Sequence, residues 1–154
     1  MERSVRNSAK ALIISEGRLL AVRLRDKDGD FYTLPGGGQE PGELLPQTVE
    51  REVAEELGIR VRAKDVAFVI EGAQGERHHR VDLVFSCEYL GESAHIERHP
   101  DTNQVGWDWL DIRSLNTAPL YTSKLRRPIM HLASGEHPAV YLGNENMGDP
   151  EVTE

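Results

Sequence analysis

The sequence has one cysteine, no long apolar run and no excess of positive charge. Cys87 has no second cysteine with which to form an intramolecular disulfide, so nothing marks the chain as a secreted, disulfide-stapled domain. No apolar stretch approaches the roughly 18 residues that a membrane-spanning helix requires. The first seven residues also lack the apolar segment of a signal peptide. We therefore expect a cytoplasmic protein with no membrane partner.

The formal net charge of -8 disfavours a nucleic-acid polymer as the main partner, because a phosphate backbone requires a basic face. It still permits a small phosphorylated ligand, since a bound metal and local arginines can reverse the field inside a pocket. A length of 154 residues with 38% hydrophobic content fits one globular unit. We expect a single domain over residues 1–142 and an acidic, flexible tail over 143–154.

Short apolar runs separated by turns predict several strands, with helices inserted between hairpins. The predicted strands cover residues 10–15, 18–24, 31–34, 59–61, 65–70, 81–89, 104–110 and 138–142. Helices are expected over about 44–57 and 122–133, with Arg126 and Arg127 on a solvated face of the second helix. The polar stretch 91–103 is predicted to be a long loop of functional type. This order of elements favours an α+β sandwich with a mixed sheet.

Three carboxylates on the first predicted helix follow a glycine-rich stretch at residues 36–38. Glu52, Glu55 and Glu56 lie within an arc of about 100° on a helix, and Glu56 projects close to the direction of the apolar Val49. Like charges one turn apart repel, and a carboxylate beside an apolar stripe is costly if it is unpaired. The cluster therefore favours a bound divalent cation over the alternative of a solvated acidic face.

These residues also fit a longer pattern, G-x5-E-x7-R-E-U-x-E-E-x-G-U, in which U is a bulky aliphatic residue. The matching positions are Gly37, Glu43, Arg51, Glu52, Val53, Glu55, Glu56, Gly58 and Ile59. The pattern is the signature of the Nudix hydrolases, and the chain resembles that family over most of residues 8–142. The resemblance implies a Nudix-type α/β/α sandwich with a mixed β-sheet, in which the signature forms a loop, a helix and a second loop.

The resemblance further implies hydrolysis of a pyrophosphate bond in a nucleoside diphosphate linked to another moiety, such as a nucleotide sugar, an ADP-ribose-like compound or a nucleoside triphosphate. Water would attack phosphorus. Mg²⁺ or Mn²⁺ would bind at Glu52, Glu55, Glu56 and the backbone carbonyl of Gly36. No proline occurs between Pro46 and Pro100, which argues against an ADP-ribose substrate, because family members that cleave it often carry one after the signature.

Two further catalytic assignments follow from the resemblance. Arg51 is expected to brace the glutamates, with Glu43 as its salt-bridge partner. The general base is expected to be Glu52 within the signature, or Glu97 from the long loop, although Glu97 taken singly also fits a solvated loop residue. Members of the family are often dimers, so a homodimer is one partner that the resemblance allows.

Candidate substrate-binding residues lie inside and outside the signature. Gly37 and Gly38 let the backbone approach a ligand closely. Arg77 and His79 belong to a short basic cluster that could hold phosphates, and a plain solvated turn fits them equally well. Tyr32 could stack on a base, with core packing as its alternative.

Two other function classes remain. One is a catalytically silent module of the same fold that binds a nucleotide or docks a partner, but such modules commonly lose a signature glutamate and this chain has all of them. The other is an isomerase of prenyl diphosphates, which normally needs a cysteine early in the chain, whereas Cys87 lies in a later predicted strand.

Overall fold

The computed structural model describes residues 3–75, 77–93 and 103–152. Its strands are β1 Val5–Ser15, β2 Arg18–Asp26, β3 Gly29–Thr33, β4 Gly36–Gly38, β5 Ile59–Gly72, β6 His79–Glu92, β7 Gln104–Asp111, β8 Leu120–Tyr121 and β9 Tyr141–Asn144. Its helices are α1 Leu45–Leu57 and α2 Arg126–Ala133, and two 3₁₀ turns, Ile112–Thr117 and Ser123–Leu125, precede α2. Over these described ranges, no helix is long and apolar enough to span a membrane.

The strands form one curled mixed sheet in the order β8-β3-β2-β1-β6-β5-β9, with β4 added to β1 and β7 added to β2. The pairs β1·β6, β3·β8 and β5·β9 are parallel, and the others are antiparallel. Strand β1 changes partner along its length: its last two residues pair with β2, while residues 8–10 pair with β4. The mixed sheet predicted from the sequence is confirmed.

The two helices pack on opposite faces of this sheet because the side chains of β1 alternate. Ala9, Ala11 and Ile13 belong to the same buried cluster as α1, and Leu12 belongs to the buried cluster around Ile129 of α2. The resulting arrangement is helix, sheet, helix, in which α1 packs against β5, β1 and β4.

Helix α1 follows from its apolar spacing and its caps. Val49, Val53 and Leu57 are all buried, as a four-residue repeat predicts. Pro46 lies in the first turn, where its missing N–H is tolerated. Gly58 ends the helix in the left-handed conformation, with φ of 67°, and its N–H donates to the carbonyl of Ala54.

Several element boundaries differ from the predicted ones. Residues 59–61 and 65–70 belong to one strand, β5, which is interrupted by irregular pairing rather than by a loop. The second helix begins at Arg126 instead of residue 122, so that Pro128 falls in its first turn. The last strand is shifted from 138–142 to Tyr141–Asn144.

Residues 143–152, which were predicted to form a tail, contact the rest of the domain in the structure. Strand β9 pairs with β5, and the carboxylate of Glu145 is buried with 7% exposure. It accepts hydrogen bonds from the backbone N–H of Ser123 (2.8 Å), from the Ser123 hydroxyl (2.9 Å) and from the N–H of Lys124 (2.9 Å). We call residues 141–152 the C-terminal strap, because they tie β5 to the start of α2.

Arg126 is also buried, against the expectation of a solvated face. It is 1% exposed, and its Nε donates to the carbonyl of Leu120 at 2.8 Å. Its Nη1 lies 3.2 Å from a carboxylate oxygen of Glu151 in the strap, and its guanidinium lies 5.0 Å from the ring centroid of Tyr121. Arg127, by contrast, is exposed as predicted.

Candidate active site

Strand β4 and helix α1 bring the signature glycines against the signature carboxylates. Gly36 pairs with Lys10 of β1 so closely that a Cβ on Gly36 would lie 2.1 Å from the carbonyl oxygen of Ala9. A Cβ on Gly37 would lie 2.5 Å from the carboxyl carbon of Glu52. Only glycine fits at position 36, because a side chain there would meet the backbone of β1, whereas a side chain at position 37 would displace the Glu52 carboxylate.

Arg51 is the centre of the carboxylate array. Its Nε and Nη2 contact the two oxygens of Glu43 at 2.7 and 3.0 Å, which is a bidentate ion pair. Its Nη1 donates to Glu52 at 2.9 Å and lies 3.3 Å from Glu55. Its Nη2 also reaches the carbonyl oxygen of Gly38 at 3.2 Å. The Arg51–Glu43 contact expected from the resemblance is therefore present, and the same guanidinium also joins α1 to β4.

The Arg51–Glu43 pair stays charged over a wide pH range. The Arg51 guanidinium, helped by a hydrogen bond from the Thr48 hydroxyl, lowers the pKa of Glu43 from 4.5 to about 2. The same pair raises the pKa of Arg51. Both residues act by holding position, because neither changes its protonation state near neutral pH.

Glu56 is the most buried of the signature carboxylates, at 7% exposure. One of its oxygens accepts the backbone N–H of Gly36 at 3.0 Å. The side-chain amide of Gln104 donates to the backbone carbonyl of Glu56 at 3.2 Å, which connects the end of α1 to β7. Glu52 and Glu56 thus reach adjacent residues of β4, Gly37 and Gly36, from one face of the helix.

The chemistry of this donor set fits Mg²⁺, because carboxylate and carbonyl oxygens are the hard ligands that Mg²⁺ prefers. In the conformation described for residues 3–75, 77–93 and 103–152, no three His, Cys, Asp or Glu side chains converge closely enough to hold a metal. Glu52 and Glu55 turn toward Arg51, and Glu56 turns toward the Gly36 N–H. A cation held by all three would require some of these side chains to leave their present partners.

Tyr32 does not join this array. Its hydroxyl donates to Asp108 at 2.7 Å, and Arg23 lies 3.4 Å from the same carboxylate oxygen. The bond to Asp108 and burial raise the pKa of Tyr32. The ring packs with the buried cluster on the α2 side of the sheet, whereas the glutamates lie on α1.

His79, the first residue of β6, contacts a glutamate outside the signature. His79 lies opposite Val5 at the start of β1, and its Nε2 contacts Glu71 at 2.8 Å. Arg77 is exposed in the preceding turn. Glu97, the predicted loop base, lies outside the described residues.

Thr48 and Gln104 support the array and were missed in the sequence. The Thr48 side chain is fully buried, and its hydroxyl donates to Glu43 at 2.7 Å. The available signal was its place three residues after Leu45, on the inner face of the helix. Gln104 is about 50 positions away from its partner Glu56, so no local spacing could have indicated it.

The family model of the NUDIX domain matches residues 5–132. The mouse protein nucleoside diphosphate-linked moiety X motif 6 is 28% identical over 149 residues, which cover 84% of this chain and 46% of the mouse protein. The nucleoside triphosphatase NudI of Salmonella agona is 29% identical over 130 residues, covering 75% of this chain and 92% of NudI. The chain therefore spans about half the length of the mouse relative and nearly all of NudI.

Solved structures show the same fold. A NUDIX hydrolase from Nitrosomonas europaea superposes with a TM-score of 0.71 at 20% identity, covering 88% of this chain and 92% of that one. An ADP-ribose pyrophosphatase from Streptococcus suis gives 0.65 at 24% identity, with 88% and 97% coverage. A UDP-X diphosphatase gives 0.69 at 19% identity, with 92% and 68% coverage. At these identities the likeness concerns the fold, which confirms the predicted α+β sandwich.

Proposed function

Because the chain belongs to the NUDIX family, we propose that it hydrolyses a pyrophosphate bond in a nucleoside diphosphate linked to another moiety, with Mg²⁺ or Mn²⁺ as cofactor. The observation that carries the proposal is the Arg51-centred array, in which one guanidinium holds Glu43, Glu52 and Glu55 beside the glycines of β4. A catalytically silent module commonly lacks a signature glutamate, whereas this chain has Glu52, Glu55 and Glu56.

The cation would be held by Glu52, Glu55, Glu56 and the carbonyl of Gly36. When bound, it neutralises the dense charge of a pyrophosphate and lowers the pKa of a coordinated water. The chain itself supplies the position of these groups. The N–H of Gly36 holds the Glu56 carboxylate at 3.0 Å, and Arg51 holds Glu52 at 2.9 Å.

Glu52 is the proposed general base among the described residues. Its carboxylate lies against Gly37, where a methyl group would displace it, so that it faces the backbone along which a phosphate would approach. Arg51 and Glu43 are positioning residues: the guanidinium contacts Glu52, and the bidentate ion pair with Glu43 fixes the guanidinium. The proton of an attacking water would pass to a Glu52 oxygen.

The proposed substrate is a small phosphorylated nucleotide derivative. The names of the similar proteins range over nucleoside triphosphates, UDP-linked compounds and ADP-ribose. These names support the reaction class more than any one substrate, because the family signature handles the pyrophosphate and other residues contact the rest of the molecule.

The test is a substrate screen with a matched pair of variants on α1. Purified protein is incubated with nucleoside triphosphates, nucleotide sugars and ADP-ribose, with Mg²⁺, with EDTA, and with Mg²⁺ restored after EDTA. Glu56→Gln removes a proposed ligand charge, and Glu50→Gln removes the same charge elsewhere on α1 while keeping an acceptor for the Ala63 N–H. We expect Mg²⁺-dependent release of products, with Glu56→Gln slowed about a hundredfold or more and Glu50→Gln close to wild type.

Activity that survives EDTA, or equal activity in wild type and Glu56→Gln, would overturn the metal assignment. No turnover of any compound in the panel, together with tight nucleotide binding, would favour the silent module instead.

A further inference from the structure

A polar groove lies beside the glycines of β4, between the start of β1 and the turn that leads into α1. Its volume is about 350 Å³, at the lower end of the range for small-molecule sites. Its lining includes Arg6, Asn7, Gln39, Glu40 and Glu43. It contains no aromatic side chain, so it offers no surface for stacking a nucleobase.

The one arginine of the signature has no donor left for a ligand. A guanidinium carries five N–H groups. Those of Arg51 are directed at both oxygens of Glu43, at Glu52, at Glu55 and at the carbonyl of Gly38. In the described conformation, a phosphate that approaches β4 would therefore need a side-chain cation other than Arg51 as its hydrogen-bond donor.

Arg6 is placed to be that cation. It is exposed, and within the part of the chain that the structure describes its guanidinium has no hydrogen-bond acceptor and no carboxylate partner. Residues Ser8 and Gly38 are paired across β1 and β4, and the Arg6 side chain reaches along this pair. Its Nη2 lies 3.7 Å from the position that a Cβ on Gly38 would occupy.

The carboxylates of the groove, Glu40 and Glu43, face Arg51 and do not form an ion pair with Arg6. Glu43 faces Arg51 at 2.7 Å, and the cation nearest to Glu40 is again Arg51, at 3.9 Å. The charge of Glu43 is thus balanced by Arg51. The side chain of Glu40 is 69% exposed, so its repulsion of an anion is screened by water.

We propose that Arg6 is a substrate-binding residue that donates hydrogen bonds to a phosphoryl oxygen of the substrate, and that the groove takes the polar part of the substrate rather than its nucleobase. This inference rests on the proposed function. In this arrangement the sugar or further phosphate that the nucleoside diphosphate carries would lie in the polar groove.

The test measures binding and turnover separately. Binding of methylenediphosphonate, a non-hydrolysable pyrophosphate analogue, is measured by calorimetry with Mg²⁺ for wild type, Arg6→Ala, Arg6→Lys and Arg60→Ala. Arg60 is an exposed arginine of β5 with the same charge and provides the matched control. Loss of a charge-assisted hydrogen bond predicts affinity about tenfold weaker in Arg6→Ala. Arg6→Lys should recover most of the loss, and Arg60→Ala should match wild type.

Two further readouts separate a binding role from a structural one. The affinity of wild type should fall more steeply with added NaCl than that of Arg6→Ala, because one charge contact is missing from the variant. With a hydrolysed substrate, KM should rise by a similar factor while kcat changes little.

Equal affinity of wild type and Arg6→Ala, or no binding of the analogue by wild type, would overturn the inference. Its failure is distinguishable from failure of the proposed function, because a wild type that hydrolyses no compound of the panel refutes the function, whereas the ratio of analogue affinities still tests Arg6.

Discussion

At the scale of single residues, one guanidinium organises the site. Arg51 contacts three carboxylates and one backbone carbonyl, and its closest partner, Glu43, lies outside the helix that carries the others. Repulsion between Glu52 and Glu55 is offset because both carboxylates contact Nη1 of Arg51. The array is therefore held together before any metal binds.

The Glu43 ion pair predicts a specific dependence of stability on pH. The folded pKa of Glu43 is lowered from 4.5 to about 2, so its contribution is fully present above pH 4.5 and is lost as the pH falls toward 2. Glu43→Gln should destabilise the protein at neutral pH, and its difference from wild type should shrink across that acidic range. Urea unfolding at a series of pH values measures this. A difference that stays constant with pH would contradict the assignment, and Glu40→Gln serves as the control because Glu40 is exposed.

Alanine substitutions at Gly37 and Gly38 test whether the backbone of β4 positions Glu52. A Cβ on Gly37 would lie 2.5 Å from the Glu52 carboxyl carbon, whereas a Cβ on Gly38 would meet its nearest atom, on Arg6, at an ordinary 3.7 Å. Gly37→Ala should displace Glu52 and lower kcat/KM about a hundredfold, because small displacements of a catalytic group are that costly. Gly38→Ala should lower it much less. Equal losses in the two variants would show that Glu52 is not held by Gly37.

At the scale of elements, the C-terminal strap fixes the start of α2. The two N–H groups that Glu145 accepts belong to residues at the beginning of a 3₁₀ turn, where backbone donors have no partner within the turn. A carboxylate distant in sequence thus acts as the cap of this segment. Arg126 and Glu151 add a second contact between the strap and α2.

Removal of the Glu145 carboxylate should destabilise the protein strongly, because this group anchors the strap. Glu145→Ala leaves three donors, two of them buried, without their acceptor, which should lower the free energy of unfolding by about 2–4 kcal/mol. Glu92→Ala is the control, because Glu92 is exposed at the end of β6. The two variants are compared by urea unfolding. Equal stability of the two would mean that the strap does not hold the start of α2.

At the scale of the whole molecule, the sequence patterns predicted the features that depend on residues close together in the chain. The apolar repeat through Val49 and Val53, closed by Gly58, correctly predicted α1 and the face that carries Glu56. The mixed sheet also followed from the order of apolar runs. These features depend on residues a few positions apart.

The features that were missed depend on pairs that are distant in sequence. Glu145 accepts hydrogen bonds from Ser123 and Lys124, which lie 22 and 21 positions before it in the sequence. Tyr32 donates to Asp108, which is 76 positions away. Neither pair leaves a periodic trace in the sequence. Arg126 was predicted to be exposed to solvent because the sequence does not show its partners. In the structure it contacts the carbonyl of Leu120 and the carboxylate of Glu151 in the strap.

The central claim is that water attacks phosphorus at a pyrophosphate held beside Glu52 and Glu56. The most direct test is hydrolysis of the best substrate in ¹⁸O-enriched water with Mg²⁺, followed by ³¹P NMR and mass spectrometry of both products. The account predicts one ¹⁸O atom in a phosphoryl group of one product and none in the sugar or base. Incorporation of ¹⁸O at carbon, or cleavage of a bond other than the pyrophosphate, would contradict it.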